Sequence, residues 1–141
     1  MTTYDFMDGN GPIPAHQHPN GGGWVADTAI VDATAYVGPN ALVFDNARVY
    51  GEALVAGHAW VFDNARVYDN AWVYGDARVY GDALVYDNAQ VYDNALVFDD
   101  ARVYGDALVY DNAWVYGDAR VYGDARVYDN ARVYSTIGKV I

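Results

Sequence analysis

Valine recurs every six residues along most of the chain, from Val25 to Val133, and no insertion interrupts the spacing. Alanine follows these valines by four residues, from Ala29 to Ala131, and Ile137 takes that place after Val133. In the unit Ala-x-Val-x the apolar positions have a period of two, which is typical of a β-strand with one buried face. The other two residues of each hexad are turn formers such as Gly-Asp or Asp-Asn. Each hexad therefore predicts a short strand followed by a corner.

Together the hexads predict an all-β fold in which the chain coils into a triangular prism. A helix is excluded because a six-residue apolar period does not match 3.6 residues per turn, and because Gly, Asp and Asn recur too often. Three hexads close one coil of about 18 residues, and successive coils pair in parallel at roughly 4.8 Å. The repeat is long enough for about six coils, stacked into one solenoid with a thin core of Val and Ala.

The hexad V-[YF]-[GD]-[DN]-A-x resembles the hexapeptide repeat of left-handed parallel β-helix proteins, in which an aliphatic residue is followed four residues later by a small one. The resemblance covers most of the chain and implies a left-handed coil, whereas general rules for parallel crossovers favour the right hand. The chain departs from the family pattern because Tyr, rather than Gly, usually follows the aliphatic residue. The segments "NARVYG" and "GGGWVADTA" also resemble uncharacterised phage and bacterial repeat proteins.

The chain divides into a repeat region and two flanking segments. Residues 24–137 are predicted to form the β-helix, and residues 1–23 are predicted to cap its first coil or to fold back along one face. Residues 138–141 contain Val140 and Ile141 and are predicted to form a small C-terminal plug. A solenoid exposes sheet edges at both ends. A weak C-terminal cap would allow end-to-end stacking into a fibre.

A coil of about 18 residues sorts the outward side chains into three columns, one for each face of the prism. We define face one as the outward residues that flank Val25, Val43, Val61, Val79, Val97, Val115 and Val133. Face two flanks Val31, Val49, Val67, Val85, Val103 and Val121, and face three flanks Val37, Val55, Val73, Val91, Val109 and Val127.

Face one is predicted to be a surface for self-association into a homo-oligomer. It contains every Phe of the repeat region and three of the four Trp. A large apolar surface indicates association, and the family that the hexads resemble commonly forms trimers side by side. The alternative is that the stacked rings only stabilise neighbouring coils. The predicted interface residues are Trp24, Leu42, Phe44, Trp60, Phe62, Leu96, Phe98, Trp114 and Tyr116.

Face two combines a column of arginines with a column of tyrosines, and we expect it to remain in contact with solvent. The arginines are Arg48, Arg66, Arg102 and Arg120, and the tyrosines follow the next valine in each hexad. Their cations are expected to lie over the rings. A surface of this kind is interpreted as a solvated ladder, with binding of a carbohydrate or an anion as the alternative.

Three histidines are the candidate metal ligands, namely His16, His18 and His58. His-x-His with a distant third His is a conceivable zinc set, and it resembles the three-histidine site of the gamma-class carbonic anhydrases, although the spacing does not match their motif. Hexapeptide acyltransferases, which share the expected fold, usually need a catalytic His and a loop projecting from a coil. The unbroken repeat leaves no such loop, so the sequence predicts no catalytic residue, no bound metal and no cofactor.

Carboxylates recur at the corners and are expected to form vertical rows. Close oxygen atoms at strand spacing could hold Ca²⁺, and solvated turn residues are the alternative. One such row is predicted to contain Asp45, Asp63, Asp82, Asp99 and Asp118.

Composition and the N-terminal residues limit the possible partners, cross-links and location of the protein. The net charge of −11 argues against nucleic acid and against an anionic membrane surface as partners. Cysteine is absent, so there is no disulfide framework. The N-terminal residues show neither a signal peptide nor an apolar anchor, which leaves the cytoplasm as the default location and a phage particle or an extracellular fibre as alternatives.

The sequence therefore predicts a structural scaffold without catalytic activity that self-associates laterally or end to end. One alternative is an enzyme of the hexapeptide superfamily, either an acyltransferase or a protein like the gamma-class carbonic anhydrases. Another is a phage component that binds a glycan or a particle.

Overall fold

The hexads form strands and corners, as predicted, in a computed structural model that describes residues 2–136. Within these residues the chain contains β-strands and turns but no helix, and hence no long apolar helix of the kind that spans a membrane. In chain order the strands are β1 (Thr3–Asp5), β2 (Pro12–Gln17), β3 (Trp24–Ala26), β4 (Ile30–Val31), β5 (Tyr36–Val37), β6 (Leu42–Val43), β7 (Arg48–Val49), β8 (Leu54–Val55), β9 (Trp60–Val61), β10 (Arg66–Val67), β11 (Trp72–Val73), β12 (Arg78–Val79), β13 (Leu84–Val85), β14 (Gln90–Val91), β15 (Leu96–Val97), β16 (Arg102–Val103), β17 (Leu108–Val109), β18 (Trp114–Val115), β19 (Arg120–Val121), β20 (Arg126–Val127) and β21 (Arg132–Val133).

The strands of the repeat pair in parallel with strands one coil away and form three sheets. Val67 of β10, for example, lies opposite Val49 of β7 on one side and Val85 of β13 on the other. One sheet has nine strands in the order β1-β2-β3-β6-β9-β12-β15-β18-β21, and the other two have six strands each. The sheets coincide with faces one, two and three, which confirms the predicted coil of about 18 residues and the predicted β-solenoid of about six coils.

Valine and alanine fill one continuous core that runs through the stacked coils. From Ala35 to Ala125, every inward Val and Ala of the hexads is fully buried. Valine suits a strand because its β-branched side chain packs well on a pleated surface. Alanine suits the position next to the corner because two faces of the prism meet there and leave little volume. An inward Ala replaced by Leu would overpack a coil at a cost of about 1–3 kcal/mol.

The first residue of most corners has a positive φ, which explains why Gly and Asp alternate there. Asp63 has φ 56° and Gly81, one coil further on, has φ 66°. The Asp63 carboxylate accepts a hydrogen bond from the backbone N–H of Gly81 at 3.1 Å, so the aspartate ties one corner to the next. The predicted acidic row is therefore wrong at two places: Gly81 and Gly117 share this position with the aspartates, whereas Asp82 and Asp118 lie one residue further along the turn.

The N-terminal segment covers much of the first coil. Strands β1 and β2 form an antiparallel hairpin, and β2 pairs antiparallel with β3 at the edge of face one. The loop that follows lies against β5, where the Val37 N–H donates to the Asn20 carbonyl and the Gly23 N–H donates to the Val37 carbonyl. A side chain at Gly23 would collide with the Gly38 carbonyl and with Val37, which explains the glycine-rich sequence here. The first coil keeps one uncovered edge, at β4, where Ile30 is exposed.

This arrangement limits the end-to-end stacking that the sequence suggested. A neighbouring molecule that stacked on the N-terminal end would have to displace the hairpin from β3 and the following loop from β5, because both already occupy the edge hydrogen bonds. The predicted plug at residues 138–141 lies outside the described residues.

Candidate binding surface

Face one forms a single parallel ladder, so the predicted interface residues of its strands do share one side of the prism. Leu42 lies opposite Trp60, and Leu96 lies opposite Trp114. The aromatic residues that follow the valines stack from coil to coil with ring centroids 4.8 to 5.2 Å apart between Phe44 and Tyr116. Stacking of this kind stabilises neighbouring coils, so these rings have a structural role within the chain.

The first half of face one is not exposed, in contrast to the expectation from sequence. Phe6, directly after β1, is fully buried and stacks on Phe44 with ring centroids 5.0 Å apart. Leu42 and Phe44 are only 6% and 2% exposed as a result. The physical reason is that the N-terminal hairpin extends the sheet of face one. Its aromatic side chains then pack on the outside of the first two coils, Tyr4 on Trp24 and Phe6 on Phe44. Leu42 and Phe44 are therefore occupied within the chain.

The second half of face one has no such cover among residues 2–136. Trp114 is 37% exposed, and Leu96, Phe98 and Tyr116 are half-buried. The guanidinium of Arg132 lies 4.0 Å from the centroid of the Trp114 ring and covers one face of the indole. Face one thus has two parts, a covered half near the N-terminus and an uncovered half near the last coils.

A groove of about 810 Å³ runs along the solenoid axis beside the hairpin. Its floor is made by the first outward residue of successive face-one strands: Trp24, Leu42, Trp60, Arg78 and Leu96. Its wall is made by the second corner residue of the same coils: Asn40, His58, Asp76 and Asn94. Tyr4 and Met7 of the hairpin close one end. The groove therefore combines an apolar floor with a polar wall.

Two contacts hold the floor of this groove in place. The Arg78 guanidinium lies 4.3 Å from the centroid of the Trp60 ring, and the Tyr4 ring stacks on Trp24 at 4.8 Å. The Trp60 ring stands at 72° to the ring of Phe62. It therefore does not belong to the stack of rings along the axis, and its indole is presented to the groove instead.

The three histidines lie in different environments. His18 is buried, and its Nε2 donates a hydrogen bond to the Ala35 carbonyl at 2.8 Å. His16 is exposed and pairs with Asp27, with Nδ1 2.7 Å from Oδ1. His58 is exposed on the wall of the groove. Within residues 2–136, no group of three His, Cys, Asp or Glu side chains lies close enough to hold a metal ion.

The corner aspartates act as hydrogen-bond acceptors between coils. The Asp45 carboxylate accepts a hydrogen bond from the Asp63 N–H at 3.3 Å. Burial raises the pKa of Asp45 above its usual value, and the hydrogen bond from the Asp63 backbone partly opposes that rise. This ladder gives the aspartates a structural role that does not require a cation.

Face two carries the most regular of the tyrosine ladders. From Tyr50 to Tyr122 the rings stack with centroids 4.7 to 5.3 Å apart and nearly parallel planes. The arginines of this face are exposed. Within residues 2–136, the cation–π contacts are those of Arg78 and Arg132, both on face one. The predicted position of the face-two cations over the tyrosine rings is therefore not seen.

The tyrosine ladder on face two predicts a distinctive alkaline titration. Burial, followed by the charges of the neighbouring Tyr50 and Tyr86, raises the pKa of Tyr68 from 10.0 to about 12. A tyrosine in the unfolded chain loses its proton at lower pH than Tyr68 does in the folded chain, so ionisation favours unfolding. The free energy of unfolding is therefore fully retained below about pH 10 and falls as the pH rises to about 12. Titration followed by phenolate absorbance should show a late phase that Tyr68→Phe diminishes. A single transition centred near pH 10 for all the tyrosines would contradict the packed ladder.

The repeat pattern does not predict which residues cover the first half of face one. Tyr4 and Phe6 lie outside the hexads, so the repeat gave no information about which face they would contact. Asp76 and Asn94 were predicted as turn formers only. The coil register already places Arg78 next to Trp60 in one column of face one, but the sequence did not predict that the guanidinium lies over the indole.

The YdcK beta solenoid repeat model matches six segments of the chain, residues 59–75, 71–87, 77–91, 89–101, 101–117 and 125–135. These segments lie within the repeat region, and the stacked coils of the structure agree with them. No curated protein and no solved structure gives a significant match. The match supports a β-solenoid repeat protein, whereas the hexapeptide resemblance is supported by the spacing of the residues alone.

Proposed function

We propose that this β-solenoid repeat protein is a structural scaffold without catalytic activity, and that it self-associates laterally through the uncovered half of face one. Left-handed winding, which the hexapeptide resemblance implies, is part of the proposal. The observation that carries the proposal is that the hairpin buries the first half of this apolar column, whereas no other part of residues 2–136 covers its second half. A second copy of the chain is the proposed cover for the second half.

The hairpin indicates what kind of surface packs on face one. It contributes Tyr4, Phe6 and Ile13, all of which pack in one cluster with the aromatic residues of the first coils. The uncovered half presents Leu96, Phe98 and Trp114, residues of the same types in the same column. A surface that buries aromatic groups within the chain is well suited to bury them between chains.

Charge decides the conditions under which association is expected. The net charge of −11 makes copies of the chain repel one another. Face one contributes its two arginines and no carboxylate from the strand positions, so the repulsion comes from the corners and not from the apolar column. Added salt screens this repulsion over about 8–10 Å. Association should therefore strengthen as ionic strength rises.

The unbroken coils support the non-catalytic part of the proposal. Every strand from β4 to β21 is separated from the next by the same short corner. Hexapeptide acyltransferases usually carry a loop that projects from a coil. Between β4 and β21 this chain has no such loop to bring catalytic groups together.

Charged substitutions at Leu96 and Trp114 should dissociate the assembly. These neighbours lie on adjacent coils of face one and point away from the Val and Ala core, so the Leu96→Glu/Trp114→Glu variant should keep its fold. We expect the wild type to sediment as an oligomer and this variant as a monomer, because two carboxylates in an apolar interface are strongly unfavourable. Analytical ultracentrifugation, with circular dichroism to confirm the fold, measures both.

Face three offers a matched control. Leu54 and Trp72 are also neighbours on adjacent coils and occupy the same strand positions. Leu54 is half-buried and Trp72 is exposed, as are Leu96 and Trp114 respectively. Leu54→Glu/Trp72→Glu should leave the assembly intact. The proposal is wrong if the control dissociates while the face-one variant does not, or if the wild type is a monomer at high concentration and high salt.

A further inference from the structure

We propose that the groove beside the N-terminal hairpin binds a neutral linear glycan. This site goes beyond the scaffold proposal, because it needs no second copy of the chain. Its lining comes mainly from the hairpin and the first coils of face one, and Leu96 of the uncovered half lies at its open end. Its components are the floor that contains Trp60 and the polar wall that contains His58 and Asp76.

The shape of the groove suits an elongated ligand. The wall takes one residue from each of four successive coils, Asn40 through Asn94, so it extends over roughly 14 Å at a coil spacing of about 4.8 Å. The hairpin residues Tyr4 and Met7 close one end, whereas the other end is open towards later coils. A volume of about 810 Å³ lies within the usual range for ligand sites, about 300–1,000 Å³. A chain of several sugar rings fits this shape better than a single small molecule.

The floor and the wall match the two kinds of surface that a sugar ring presents. The broad face of a pyranose is lined by C–H groups, which pack on an apolar floor such as that formed by Trp24, Trp60 and Leu96. Its rim carries hydroxyls, which both donate and accept hydrogen bonds. The exposed wall residues include amides at Asn40 and Asn94, an imidazole at His58 and a carboxylate at Asp76, and together these groups donate and accept.

The charges of the groove favour a neutral ligand. One carboxylate, Asp76, and one guanidinium, Arg78, line it, so they balance. An anionic ligand would also meet the repulsion of a chain with net charge −11. A cationic ligand would have to displace Arg78, which already occupies the cation site over the Trp60 ring at 4.3 Å. An uncharged ligand rich in hydroxyls avoids both penalties.

Comparison with the second Trp–Arg pair on face one shows what the hairpin adds. Arg132 lies over Trp114 at 4.0 Å, much as Arg78 lies over Trp60. Neither Tyr4 nor Met7 reaches that part of the face, and the groove does not include it. We therefore expect glycan binding at Trp60 and not at Trp114.

The test titrates the full chain with uncharged hexasaccharides, namely cellohexaose, maltohexaose and chitohexaose, by calorimetry and by tryptophan fluorescence. A hexamer of galacturonic acid and a hexamer of glucosamine serve as the anionic and cationic probes. We expect at least one neutral probe to bind and both charged probes to bind more weakly. Trp60→Ala should weaken the binding of the neutral probe by at least about tenfold, because the central apolar part of the floor is lost.

Trp72→Ala is the matched control for the tryptophan. The ring centroids of Trp72 and Tyr74 lie 6.3 Å apart with an interplanar angle of 73°. This is close to the 6.4 Å and 72° between Trp60 and Phe62, but Trp72 lies on face three. Its removal should leave binding within about twofold of the wild type. A second variant, Asn94→Trp, fills the groove from an exposed corner without touching the core and should also abolish binding, so the test stands even if Trp60→Ala disturbs the fold.

Several results would overturn the proposal. It fails if none of the three neutral hexasaccharides binds, or if a charged probe binds more tightly than they do. It also fails if Trp60→Ala and Asn94→Trp both retain full affinity, or if Trp72→Ala weakens binding as much as Trp60→Ala does. Binding that Trp114→Ala removes would place the site on the wrong half of face one.

Discussion

Val85→Asp should unfold the central coils of the solenoid. Val85 is fully buried in β13, in the middle of the face-two sheet, and its neighbours above and below are Val67 and Val103. A carboxylate there has no partner in a core of Val and Ala, and an uncompensated buried charge costs about 3–5 kcal/mol. Because each coil is stabilised only by its neighbours, a defect in the middle separates the two halves of the stack. Guanidinium unfolding followed by circular dichroism should show this loss.

Leu84→Asp is the control for that experiment, since Leu84 precedes Val85 on the same strand and points outward. The surface substitution should change the free energy of unfolding by no more than about 1 kcal/mol. Lower pH should lessen the loss in Val85→Asp, because a protonated carboxyl is less costly to bury than a charged one. Equal losses at the two positions would mean that the assigned inward and outward directions are wrong.

The coil register could be predicted from sequence because two inward positions are almost invariant. With Val and Ala fixed, a shift of one residue would bury Tyr and Arg in a core too thin to hold them. The structure confirms the three columns for that reason. The corner row was misassigned because the sequence shows two adjacent turn residues, and only the backbone shows that the first of them, as at Asp63 and Gly81, has the positive φ.

The N-terminal segment could not be placed in the same way. Residues 1–23 have no period, so nothing in the sequence distinguishes a plug over the first coil from a strand along a face. The structure combines the two, with β2 on the edge of face one and Phe6 on its surface. Handedness also lies beyond the residue pattern, because both hands give the same inward period. The left hand therefore remains a prediction from the hexapeptide resemblance.

Phe6→Ala should release the N-terminal hairpin from face one. Phe6 is fully buried between the hairpin and Phe44, and truncation of a buried Phe costs about 3–5 kcal/mol. Since the coils can remain folded without the hairpin, we expect most of this loss as local opening and only part of it in global unfolding. Amide exchange at Ala15, whose N–H bonds to the Thr2 carbonyl, should accelerate by at least about a hundredfold.

The same variant should strengthen self-association, which links the N-terminal hairpin to the proposed assembly. Without Phe6, the side chains of Leu42 and Phe44 become accessible and extend the uncovered apolar surface along the whole of face one. Met7→Ala is the control, because Met7 is 73% exposed and its truncation should alter neither exchange at Ala15 nor the sedimentation of the oligomer. If Phe6→Ala instead dissociates the oligomer while its coils stay folded, the hairpin is itself part of the interface. The assignment of association to the uncovered half of face one would then be wrong.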